Sequence, residues 1–163
     1  MEQWRRNIID TSLPILLGLF YTSAGIGHFA NKSAFLDIYP PIGTWGLWYV
    51  PGSPEFHVAW TGIVELLGGS GLLIGVLRDM LDIEEDGWMN FIQPLSASVL
   101  FVLTVVVTPA NIYMFTHGAV MGDMEPLGLS FHAVRFGVQV LLFSLLVTLA
   151  RDGFFFAWGE ELD

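Results

Sequence analysis

A few polar side chains within long apolar segments are the residues of this sequence with the most potential for chemistry. Glu65 stands in TGIVELLGGSGLLIG (residues 61–75), which otherwise holds only aliphatic residues, glycines and small hydroxyls. A carboxylate in hydrocarbon is costly unless it finds a partner, so this helix must face other helices on that side. Four further polar side chains stand in the other apolar segments: His28, Asn111, Arg135 and Gln139.

These five residue types leave several interpretations open. A hydrogen-bonded network would fix the register of the helices, and the sequence favours this structural interpretation. A pocket lined by a histidine and a carboxylate would instead bind a quinone headgroup or another small polar molecule, and a proton path is a third alternative. Histidine and glutamate can act as acid and base, but no nucleophile accompanies them, so we expect no catalysis by this chain alone.

The histidines do not predict a metal site. His28, His57, His117 and His132 share no spacing such as HxxxH. Axial ligation of haem or chlorophyll by a single histidine remains open. The sequence therefore predicts no definite cofactor. Contacts with quinone, chlorophyll or lipid are the alternatives.

The composition is that of a membrane protein. Hydrophobic residues make up 53% of the 163 residues and charged residues only 13%. Four apolar segments are each long enough to cross a hydrocarbon core of ~30 Å at ~1.5 Å per residue: 8–30, 56–77, 91–115 and 130–150. We expect one all-α domain over residues 1–163, an integral membrane four-helix bundle with an aromatic and acidic tail from 151 to 163.

The charges predict an orientation and exclude some partners. Arg5, Arg6, Arg78 and Arg151 stand against Lys32 alone in the first loop. This bias places both termini on the cytoplasmic, matrix or stromal side. The net charge of -10 argues against nucleic acid and anionic lipid surfaces as partners. The sequence has no cysteine, which excludes disulfides and thiolate ligands.

This topology predicts that the five polar residues meet in one half of the bundle. His28 lies near the outer end of its helix, and Glu65 lies roughly 14 Å in from the corresponding end of the next helix. Asn111 and Arg135 lie ~6 Å and ~8 Å from the outer ends of theirs. Within the reach of an arginine side chain, Glu65 and Arg135 could pair, with His28, Asn111 and Gln139 satisfying the remaining donors and acceptors.

Small residues predict where helices approach closely. Gly62 and Gly69 share a helix face with Glu65, and Gly71 with Gly75 forms a GxxxG pattern. All four glycines are predicted to be packing residues.

Pro109 stands inside the third apolar segment and must disturb its backbone hydrogen bonds. Thr104, Thr108 and Asn111 are spaced along one face and can satisfy the carbonyls that the proline frees.

The chain resembles the DoxX-like family of small four-helix membrane proteins. The resemblance runs from about residue 16 to 151 and rests on these features in order: AGIGHF (24–29) with Phe35 and the Tyr-Pro-Pro of 39–41, TGIVELLGGSGLLIG with Arg78, TPANIYM (108–114), and Arg135 with Gln139. It implies that the five polar residues are characteristic positions of the family. Gly137 departs from the family, which often has a proline between the arginine and the glutamine. Relatives are linked to thiosulfate:quinone oxidoreduction, to redox complexes for thiol or oxidative stress, and to chaperoning of membrane receptors.

Taken together, these features predict a non-catalytic accessory or assembly subunit of a larger photosynthetic or respiratory membrane complex. Besides lipid, the partners would be other subunits, docked through four surfaces: 31–55, 79–90, 116–129 and 151–163. The alternatives are a quinone-binding subunit of a membrane oxidoreductase, of the thiosulfate or thiol-stress type, and a membrane-protein chaperone. A plastid thylakoid or other organelle inner membrane is the expected location, with a bacterial plasma membrane as the alternative.

Overall fold

The structure, a computed structural model, describes residues 11–81, 83, 87–125 and 127–160. This part of the chain is helical and contains no strand. Its α-helices are α1 (Leu13–Ala30), α2 (Lys32–Asp37), α3 (Pro54–Met80), α4 (Ile92–Val106), α5 (Thr108–His117) and α6 (Leu129–Glu160), with single 3₁₀ turns at Thr44–Gly46 and Gly87–Phe91.

Four helical segments are long and apolar enough to cross a membrane: Leu13–Ala30, Pro54–Met80, Trp88–His117 and Leu129–Phe155. The predicted all-α class with four spans is therefore confirmed. The second span extends beyond the predicted 56–77 at both ends. The fourth helix continues past residue 150, so the aromatic part of the predicted tail belongs to α6.

Some predicted features lie outside the described residues. These are the N-terminal arginine pair, the first residues of the span predicted from residue 8, most of the acidic stretch between 82 and 86, and the last three residues.

Helices α1 and α3 pack with their backbones in contact. A Cβ atom on Gly25 would lie 2.8 Å from the carbonyl oxygen of Gly62, and one on Gly18 would lie 2.9 Å from that of Gly69. Real side chains do not tolerate such distances, so only glycine fits where the helices cross. Gly62 and Gly69, two of the four glycines predicted to be packing residues, lie at this contact.

The other glycines of α3 face α4. Gly68 lies against the side chain of Leu100, Gly71 against Ser96 and Gly75 against Gln93. Both glycines of the GxxxG pattern therefore lie on the face of α3 that packs against α4. Beside this contact lies the tightest part of the core, in which three leucines from three helices are fully buried: Leu72, Leu100 and Leu146.

The third span consists of two helices rather than one. Helix α4 ends at Val106, and Pro109 stands in the first turn of α5, where its missing N–H is tolerated. The Thr108 hydroxyl donates to the carbonyl oxygen of Thr104 at 3.0 Å, which compensates for part of the interrupted ladder. This is the compensation expected of the threonines near Pro109.

Two loops meet at one end of the bundle, which we call the loop end. The indole Nε1 of Trp45 donates to Thr116 Oγ1 at 3.2 Å, and the amide of Gly122 donates to Asp37 Oδ2 at 3.2 Å. Trp45 adopts a positive φ of 56°, between glycines at positions 43 and 46 that do the same. These contacts fold the first loop onto the end of α5 and onto the second loop.

Candidate functional site

A cavity of about 300 Å³ lies at the loop end, between the four spans and the first loop. Most of its wall is apolar and aromatic, with contributions from Phe35, Ile38, Trp48, Trp60, Val106 and Pro109. Polar side chains reach it at two places, one on α1 and α3 and the other on α5 and α6. Four of the five predicted polar residues line it, namely His28, Glu65, Asn111 and Arg135.

The first polar group is a buried pair, His28 with Glu65. His28 Nε2 lies 3.3 Å from Glu65 Oε2, and each residue is only 8% exposed. The other ring nitrogen, Nδ1, lies 2.9 Å from the carbonyl oxygen of Val58. The ring of Phe35 covers the imidazole, with 3.7 Å between ring centroids. The close approach of α1 to α3 at Gly62 sets the position of this pair, because the Gly62 backbone packs directly on the Cβ of His28.

The orientation of the imidazole follows from its partners. A carbonyl oxygen can only accept a hydrogen bond, so Nδ1 of His28 carries a proton and donates it to Val58. Nε2 is then the nitrogen that faces the carboxyl group of Glu65. Glu65 Oε2 makes no aligned hydrogen bond to any described residue. The imidazole of His28 is therefore the polar group that we find in contact with this oxygen.

The second polar group joins α5 to α6 through long side chains. Arg135 donates from Nη2 to Asn111 Oδ1 and from Nη1 to the sulfur of Met114 at 2.8 Å. Asn111 Nδ2 in turn donates to Gln139 Oε1 at 2.9 Å. Both partners of the guanidinium are uncharged. Asn111 is held on one side by Arg135 and on the other by Gln139, which fixes the orientation of its amide.

Gln139 lies behind the cavity wall rather than in it. Its amide nitrogen donates to the carbonyl oxygen of Thr104 at 3.2 Å and to Thr108 Oγ1 at 2.5 Å. It therefore satisfies the backbone where α4 gives way to α5. The Thr104 hydroxyl also meets the hydroxyl of Tyr21, at 2.7 Å. The role of Gln139 is to hold α6 against the break in the third span.

The expected ion pair between Glu65 and Arg135 is not formed. Among the described residues, Glu65 contacts His28, and Arg135 contacts Asn111 and Met114. The two charged groups line a common cavity but do not contact each other. The pairing was wrong because helical spacing gives the height of a side chain and not its lateral partner.

Sequence reasoning missed a second histidine at the cavity. His57 Nε2 donates to the carbonyl oxygen of Pro51 at 2.9 Å, and its Nδ1 accepts from Trp60 Nε1 at 3.0 Å. The ring of Tyr39 stacks on the imidazole with 5.6 Å between centroids, and burial raises the pKa of the Tyr39 phenol above its ordinary value. The spacing of His57 and Trp60, three residues apart at the start of α3, is the signal that could have indicated this contact.

In the part of the chain that the structure describes, no three histidine or acidic side chains come together as a metal site would require. No protein-family model matches the chain, and it matches neither a curated protein nor a solved structure.

Proposed function

We propose that this protein is a membrane-embedded binding protein for a flat, mostly apolar molecule with oxygen substituents, of the quinone class. The observation that carries the proposal is the cavity of about 300 Å³, whose apolar wall is interrupted by polar groups at two places. Ligand sites are commonly of this size and kind, with a few polar groups that fix the orientation of the ligand.

The separation of the two polar groups favours a ligand site over a purely structural network. A network that served only to hold four helices together would gain most from a direct pair between Glu65 and Arg135. Instead, Glu65 contacts His28, Arg135 donates to Asn111, and both groups line the cavity. A carbonyl oxygen of a ligand ring can accept from Arg135 or Asn111, while a second oxygen can meet the His28 and Glu65 pair.

The DoxX-like resemblance and the membrane orientation belong to the same proposal. The residues that the resemblance singles out include all four polar side chains discussed for ligand contact, which supports a shared site. The arginine bias supports a bundle with both termini on the cytoplasmic, matrix or stromal side. The loop end, and the cavity with it, then lies in the opposite half of the membrane.

Fluorescence quenching in lipid nanodiscs tests this function, because Trp48 and Trp60 lie in the cavity wall. A short-chain quinone should quench the wild-type protein saturably. Ala110→Phe, which fills the cavity, should weaken binding by at least roughly tenfold. Ala133→Phe is the matched control, since Ala133 lies exposed on α6, and it should bind as the wild type does.

Two results would contradict the proposal. Quenching that never saturates would show simple partition into lipid. Equal binding by a correctly folded Ala110→Phe variant, checked by helix content, would place the quinone outside the cavity.

The accessory-subunit role is the second candidate, and one observation favours it. Helix α6 continues to Glu160, beyond the apolar segment that ends at Phe155, and this extension would give another subunit a helical segment to bind. Gentle extraction followed by native-size separation tests this role. Migration within a larger complex supports it, and migration as a small species that retains a quinone favours the binding protein alone.

A further inference from the structure

We propose that the cavity selects ligands that carry one negative charge, such as a ring with an acidic hydroxyl or a carboxylate, and that Arg135 receives this charge. The inference rests on the proposed function and names the ligand class of the same cavity. Its basis is a count of the charges that line the cavity wall.

Arg135 supplies a positive charge that has no acidic partner in the described part of the chain. Among the described residues, its guanidinium donates to the sulfur of Met114 and to the amide oxygen of Asn111 alone, and both are neutral. An arginine keeps its charge in proteins, so it does not escape this situation by losing a proton. Within a membrane-spanning bundle, a cation of this kind normally pairs or marks a path for a ligand.

The His28 and Glu65 pair does not neutralise this charge, because the pair carries one proton in addition to the proton on Nδ1. Nδ1 of His28 is already protonated, since it donates to Val58. Glu65 Oε2 is buried without a hydrogen-bond donor among the described residues, and an ionised carboxylate beside a neutral imidazole would be an uncompensated buried charge, so the pair holds one further proton, on Nε2 or on the carboxyl group. The pair is then either imidazolium with carboxylate or imidazole with carboxylic acid. Both forms have a net charge of zero.

The remaining titratable groups near the pair add no negative charge. The hydroxyl of Tyr21 is hydrogen-bonded to Thr104 Oγ1. His57 is a neutral imidazole, since one ring nitrogen donates to Pro51 and the other accepts from Trp60. Tyr39 keeps its phenolic proton, as its raised pKa implies. Among the described side chains that line the cavity, Glu65 is the sole carboxylate. The cavity therefore carries one uncompensated positive charge.

Two naphthoquinones that differ in one group test this inference. The hydroxyl of 2-hydroxy-1,4-naphthoquinone is ionised at neutral pH, whereas 2-methoxy-1,4-naphthoquinone is nearly the same size and neutral. We expect the anion to bind the wild-type protein at least roughly tenfold more tightly at pH 7.5. Arg135→Gln should abolish this preference, and Arg78→Gln, outside the cavity, should leave it intact.

The pH dependence in the wild-type protein gives a test that needs no variant. The preference should disappear as the pH falls and the hydroxyl of the probe becomes protonated. If Arg135→Gln fails to fold, Arg135→Lys, which keeps the charge, should retain a preference for the anion.

The outcomes separate the two proposals. Equal binding of both probes by the wild-type protein would overturn the charge selection and leave the quinone site standing. Binding of neither probe, nor of the short-chain quinone, would overturn the site itself. A preference that survives Arg135→Gln would show that another group receives the charge.

Discussion

Helices α1 and α3 are joined in a different way from helices α5 and α6. The first pair meets backbone against backbone at glycines, with no room for even a methyl group at Gly25 or Gly69. The second pair meets through long side chains, and Gly137 of α6 has no neighbouring atom within 4 Å of where a Cβ would stand. The difference shows how a small bundle can be both rigid and hollow: glycine contacts fix one side, and polar side chains hold the other side open around a cavity.

The largest expected effect comes from widening the glycine contact. In Gly69→Val, the new Cβ would lie 2.6 Å from the backbone nitrogen of Thr22 and 2.8 Å from the carbonyl oxygen of Gly18. Because the contacted atoms belong to the backbone and cannot move aside as a flexible side chain would, we expect a loss of about 3 kcal/mol in the free energy of unfolding. Thermal unfolding in detergent, followed by circular dichroism, measures it. Gly137→Val is the control and should be nearly neutral. Equal stability of the two variants would show that α1 is free to shift away from α3.

A smaller loss of stability is expected from the polar contact. Gln139→Leu removes hydrogen bonds to Thr108, to Asn111 and to the carbonyl oxygen of Thr104. One unsatisfied buried group costs about 1–3 kcal/mol, and the side-chain volume is nearly kept. The same unfolding measurement applies, with Val140→Leu on the exposed face of α6 as control. A neutral result would mean that α6 is held in place by its apolar contacts alone.

The smallest effect on stability, and the one most specific for the cavity, is expected of Trp48→Ala. Trp48 is half-buried in the first loop and forms part of the cavity wall. We expect an unchanged melting temperature within error and a quinone affinity lowered by roughly tenfold. Trp88→Ala, in the exposed 3₁₀ turn away from the loop end, is the control. If Trp88→Ala weakens binding equally, the quinone does not reside at the loop end.

The parts of the fold that follow from periodicity and length were predictable. The spans follow from apolar length, and the burial of Gly18, Gly25 and His28 on one face of α1 follows from their helical spacing. The meeting of His28, Glu65, Asn111 and Arg135 at one end follows from their distances to the ends of their spans. Each of these features depends on positions along one helix.

What depends on the lateral arrangement of helices was not predictable. Glu65 meets His28 because Gly62 lets α1 approach, and the sequence does not state which glycine faces which neighbour. Val58 contacts His28 through its backbone carbonyl oxygen, and a backbone group cannot be recognised from the residue type. The break after Val106 could be expected from Pro109, but the use of Gln139 to bridge it could not.

The length of α6 has a mechanical consequence. Its 32 residues make a helix about 48 Å long, whereas a hydrocarbon core is ~30 Å thick. In a bilayer, the end of the helix opposite Arg135 would therefore extend beyond the lipid. This end packs against the 3₁₀ turn at Gly87–Phe91 and against Pro94, so a protein bound there would engage the turn together with α6, and any axial shift or rotation of the helix would be transmitted to the Arg135 guanidinium at the cavity wall.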